Sequence, residues 1–175
     1  MIKYEITNEV HPRYRNLRRI RALRDIPRFG VRASDLGGYI ESEYNLAQDG
    51  DAWIADDAQV FSNAYVYGNA FVSGNAEVYG NAEVYGDAHV FGNARVYDEV
   101  LVFGEAWIYG NARVSSNALV SSNALVYGNA YVYGNAYVYG NAEVSGDARV
   151  SGEARVFDDA VVSGNAEVSG TDKVS

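Results

Sequence analysis

The sequence contains no cysteine, only two prolines, two histidines and one methionine. Without cysteine, a disulfide framework and a thiolate zinc site are both excluded. Pro12 and Pro27 lie near the start, so everything after them keeps its backbone donors, as strands require. No uninterrupted apolar run approaches the ~20 residues that cross a membrane as a helix. The first residues, mixed and soon charged, lack the pattern of a signal peptide. The expected location is therefore the cytoplasm, with no membrane partner.

Charge is unevenly spread. Residues 1–34 carry nine basic and three acidic side chains, a balance of +6, and residues 35–175 carry five and 20, a balance of −15. A basic head on an acidic body implies two segments with different roles. The arginines Arg13, Arg15, Arg18, Arg19, Arg21, Arg24, Arg28 and Arg32 invite a nucleic-acid reading, but no recognised binding motif accompanies them. A solvated face, or ion pairs with the acidic body, is the simpler expectation.

From Gly50 to Ser175 the chain divides into 21 hexads without insertion or deletion, with the consensus Gly-Asn-Ala-x-Val-Tyr/Ser. The third position is Ala in 19 hexads and the fifth is Val in 19 and Ile in two. Residues two apart share one face of an extended segment, so Ala and Val point inward and the residue between them points out. Gly-Asn between strands reads as a turn, because both residue types tolerate positive φ. A period of six holds no single stripe on a helix, and repeated Gly would cost ~1 kcal/mol each time. Such short strands must stack on copies of themselves, so the chain coils into a parallel β-solenoid with an Ala and Val interior.

The order Val84, Gly86, Asp87, Ala88 resembles the hexapeptide-repeat, left-handed β-helix family. The resemblance implies a triangular, all-β, single-stranded left-handed parallel β-helix of about seven to eight coils, with three hexads per coil. The segments Leu17–Ile26 and Asp35–Glu41 are also similar to the leader of uncharacterised phage and prophage β-helix proteins. The expected organisation is a small basic cap over residues 1–36 and the β-helix over 37–175. Ile2 to Thr7 and Leu17 to Ile26 pair as a hairpin in one reading of the cap; a helix from Tyr14 to Ile26 is the alternative. Gly38, Ile40, Leu46 and Gly50 keep the six-residue phase, which puts Ser42 and Gln48 at the Val position.

With three hexads per coil, the outward residues sort into three columns. The first reads Trp53, Phe71, His89, Trp107, Leu125, Glu143, Val161 and is apolar over most of its length. Phe91, Tyr109 and Tyr127 stand beside it, while Tyr67, Tyr85 and Phe103 ladder along the third. The repeat degrades at Asp98-Glu99-Val100-Leu101, and Leu101, Trp107, Leu119 and Leu125 follow in that stretch. A local departure from a strict pattern is where function is expected. The partner-binding set is therefore Trp53, Phe71, His89, Phe91, Leu101, Trp107, Tyr109, Leu119, Leu125 and Tyr127. For the tyrosines, stacking that stabilises the solenoid is the simpler role.

Among functions the resembled family includes, carbonic anhydrase chemistry needs three histidine ligands, and this chain has only His11 and His89. No loop interrupts the hexads to build an acyltransferase site, which leaves His89 as the one candidate base of a degenerate acyltransferase. No catalytic residue, metal or cofactor is assigned. The expectation is a non-enzymatic binding or structural protein that forms a homo-oligomer, trimer or dimer, or binds a host protein. A second reading is an acidic inhibitor, such as a DNA mimic, of a host nucleic-acid or defence enzyme.

Overall fold

The computed structural model describes residues 2–175, and among these every regular element is a strand apart from two single 3-10 turns, Pro27–Phe29 and Glu43–Asn45. Twenty-one two-residue strands, from Trp53–Ile54 to Lys173–Val174, recur every six residues. They stack into three parallel sheets, forming a β-solenoid of about eight turns. Trp53 pairs with Phe71, and Arg155 with Lys173, so a regular coil holds 18 residues. The backbone ladder closes at every rung: Arg95 N donates to Ala112 O at 2.9 Å, and Tyr97 N to Val114 O at 3.0 Å.

The Ala and Val columns are the interior. From Ala52 to Val156 the inward residues are essentially inaccessible to solvent, Val100 in the Ala column included. Each buried Val stabilises the coil by about 1.5 kcal/mol or more, and no side chain larger than Ile is needed to fill so narrow a core.

The turn divides its labour differently from the expectation. Only the first hexad position takes positive φ, and it does so whatever residue stands there: Asp98 at 64° and Ser116 at 61° behave like Gly110 at 71°. The Asn residues instead form amide ladders along a corner. Asn75, Asn93, Asn111 and Asn129 each donate Nδ2 to the side-chain oxygen 18 residues on, at 2.9–3.2 Å. The last of these, from Asn129, ends on the acceptor-only carboxylate of Asp147.

The start of the solenoid corrects the expected phase. Strand β1 (Tyr4–Val10) pairs antiparallel with β2 (Arg18–Ala22), and β2 pairs antiparallel with β3 (Leu36–Ile40). There is no helix over 14–26. β3 then lies parallel to the strand Gln59–Val60, with Ile40 opposite Val60, and Leu46 bridges Val66. The offset is 20 residues rather than 18, so Ile40 and Leu46, not Ser42 and Gln48, fill the Val column. A slip of two preserves the inward parity of every side chain, and the larger residues take the wider column. Gly38 takes the Ala position of that coil, where a Cβ would lie 2.5 Å from Ala58 O.

The released polar residues cap the first coil. Gln48 Oε1 accepts from Lys3 N at 2.8 Å, and Gln48 Nε2 donates to Tyr4 O at 3.1 Å. The buried Asn45 accepts from Glu41 N and Ser42 N and donates to Ser62 O and Ala64 O. Lys3, also buried, donates Nζ to Ala52 O at 2.7 Å. These bonds occupy backbone groups that would otherwise form an open edge. One hydrophobic cluster runs from Tyr4 to Val168, so the head and the solenoid share a core across residue 36.

Candidate partner-binding surface

The first sheet carries the apolar row in the expected order, with Trp53, Phe71, His89, Trp107 and Leu125 in register. Its lower half is already covered by the chain itself. Pro27 sets a 3-10 turn, Gly30 ends it at φ 69°, and the turn folds Phe29 back over the row. The rings of Phe29 and Phe71 stack with centroids 4.5 Å apart, and Phe29 meets His89 edge-on at 6.2 Å. Arg28 pairs with Asp87 at the adjoining corner. Arg28 and Phe29 were not among the expected site residues. The signal available was the Pro27-Arg28-Phe29-Gly30 sequence, which has proline and glycine where a tight turn needs them.

Trp53 is consequently not a partner contact. It is 1% exposed and lies in the same apolar cluster as Tyr4, Ile20, Ala22 and Ile26 of the head. Its indole also packs against the Gly37 backbone, where a Cβ would come within 2.7 Å of it. The physical reason is the head itself, which folds onto the first coil and removes the indole from solvent.

The upper half of the row is open. Trp107 is 44% exposed, the most accessible large apolar side chain in the middle of the sheet. His89 lies 5.3 Å from it between ring centroids, and Phe91 meets it edge-on at 5.8 Å. Phe91, Tyr109 and Tyr127 form a stacked ladder at 4.9 Å spacing with planes within 3°. The Tyr127 hydroxyl donates to Glu143 at 3.2 Å, which fixes the top of that ladder. Leu125 is half-buried in the next rung. Leu101 and Leu119 do not join this surface. They face each other in the third sheet, around a corner from Trp107.

The ionisable groups are largely committed elsewhere. Burial, and then the Arg28 charge, hold the His89 pKa below its ordinary value, with Asp87 opposing. His11 serves the head: its Nδ1 accepts from Arg13 N and Tyr14 N at 3.1 Å, and its ring sits edge-on to Tyr39. The two histidines thus stand on different sheets' surfaces. Among the described residues no group of three His, Cys, Asp or Glu is arranged to hold a metal ion. Arg19 and Arg24 pair with Asp57 and Asp51 of the coil corners, at 3.0 and 3.4 Å. Asp147 and Asp159 accept from Asn129 and Asn141, both at 2.9 Å.

A family model described as "YdcK Beta solenoid repeat" matches residues 106–122. That stretch contains Trp107 and Leu119 and covers about three of the hexads. No curated protein matches the chain.

Proposed function

We propose that this chain is a non-enzymatic hexapeptide-repeat solenoid that works by self-association and macromolecular binding through Phe91, Trp107, Tyr109, Leu125 and Tyr127. The observation that carries the reading is the state of Trp107. An indole 44% exposed in the centre of a stacked aromatic surface is what a partner-covered face looks like when its partner is absent. The two tryptophans of one row also have opposite fates: Trp53 is covered by the head and Trp107 is left open. A left-handed coil and a phage or prophage origin are inferred from the family and leader resemblances.

Light scattering on the purified protein and on its Trp107→Glu variant tests the reading. A mass above the 19.1 kDa monomer that falls to the monomer in the variant, with the circular dichroism unchanged, is expected. Equal masses for the two proteins would count against it.

A further inference from the structure

The head displays, on its own body, how an arginine–aromatic segment docks on this row. Phe29 lies on Phe71 and against His89 while Arg28 takes Asp87. A solenoid repeats its surface one coil on, ~4.8 Å away. Eighteen residues after Phe71, His89 and Asp87 stand His89, Trp107 and Glu105. The same acceptor therefore recurs directly above the occupied one: an apolar floor with a carboxylate at the same corner. Two coils on, the carboxylate position is Asn123, so charge fixes the register at one coil. Glu105 is exposed and makes no ion pair among the described residues.

The chain also contains a second copy of the ligand chemistry. Pro27-Arg28-Phe29 is matched by Pro12-Arg13-Tyr14 in the connection between β1 and β2. Tyr14 rests on His11 and Phe61 of its own chain, with ring centroids 5.3 and 6.3 Å away, yet keeps 44% of its surface exposed, and Arg13 is exposed and without an ion pair among the described residues. The head of +6 and the body of −15 are complementary in charge.

We infer that the occupant of the open site is the Pro12-Arg13-Tyr14 connection of a second copy of this chain, with Arg13 on Glu105 and Tyr14 on the His89–Trp107 floor. The contact is heterologous, head of one copy to body of the next, so it closes into a ring or continues as a chain. The Tyr14 ring extends the stack that Phe29 begins on Phe71. The inference rests on the self-association proposed above and names its two sides.

Complementary half-sites test it. One variant carries Arg13→Glu and Tyr14→Ala, the other Glu105→Arg and Trp107→Ala. Each alone is expected to be monomeric by sedimentation, and their mixture to form a one-to-one dimer that grows no larger. Separately, Arg13→Glu and Glu105→Arg should each weaken association at least tenfold, and combining them in one chain should restore it. Association unchanged by Arg13→Glu or by Glu105→Arg overturns the inference, as does a mixture that stays monomeric. If Trp107→Glu abolishes association while both charge reversals leave it intact, the binding surface stands and the Arg13–Glu105 assignment falls. If Trp107→Glu also has no effect, the proposed function falls with it.

Discussion

Truncating Phe29 to Ala should open the head without unfolding the solenoid. Phe29 is partly buried against the core and stacks on Phe71 at 4.5 Å. An aromatic side chain buries 150–250 Å² when fully enclosed. Losing about half of that, at roughly 25 cal/mol per Å², removes about 2–3 kcal/mol from the head's contact with the first sheet. The coil ladder is untouched, because its bonds run between backbone groups of successive coils. The loss therefore appears as local opening. Amide exchange should report it at Ile26 and Val31, whose N–H groups pair across the turn, and at Ser34, which donates to Ala22 O. Their exchange should accelerate by about 30- to 150-fold, the factor equivalent to that energy, while Val102 and Val120 amides keep their protection. Acrylamide should begin to quench Trp53, which is now enclosed. Unchanged exchange at Ile26 and Val31, or a uniform loss across all coils, would refute the idea that Phe29 is a local cover.

Two pH effects follow from buried groups of the head and half-buried tyrosines of the solenoid. Burial, and then the nearby Arg24 charge, lower the Lys3 pKa from 10.5 to about 8. Between those values the unfolded chain binds more protons than the folded one, so stability should rise as pH increases from about 8 to about 10. Above pH 10 the trend should reverse, because burial raises the pKa of Tyr4, Tyr67 and Tyr85 and the folded state resists their ionisation. Urea titrations at stepped pH measure this, and Lys3→Met should flatten the rise; a slope that survives in Lys3→Met contradicts the assignment. His11 acts at the acid end. Burial is the first cause of its lowered pKa; Arg13 and Arg19 add to it, against Asp57 and Glu77. Its contribution is full above pH 6.5 and is lost as pH falls below that, when a proton on Nδ1 would displace the Arg13 and Tyr14 N–H donors. Head-amide exchange should therefore quicken below pH 6.5 in the wild type and not in His11→Asn, which keeps a side-chain acceptor but cannot titrate.

The regular part of the fold is legible because each hexad specifies its own strand and its own turn. Three-fold stacking then sorts Trp107, Arg113 and Leu119 onto different sheets without further information. The first coil is harder to read. A two-residue slip leaves inward and outward positions unchanged, so alternation alone accepts both frames. Only size separates them: Gly38-Tyr39-Ile40 repeats the small–outward–large order of Ala58-Gln59-Val60 and aligns with it in the sheet. The fate of Trp53 is not written locally at all. Its burial depends on the head, whose Gly37 backbone comes against the indole beside Ile20 only after the head folds back. Asn, too, looks like a turn former in one hexad, and its ladder role emerges only when Asn93 and Asn111 are seen one coil apart.

A photo-crosslinking amino acid placed at Leu125, with a matched one at Arg113 on the neighbouring sheet, tests the central claim in living cells. If the open aromatic surface is a working interface, the Leu125 position yields a discrete covalent adduct that disappears in Trp107→Glu, and the Arg113 position does not. Equal labelling from both positions, or an adduct from Leu125 that persists in Trp107→Glu, would contradict the account.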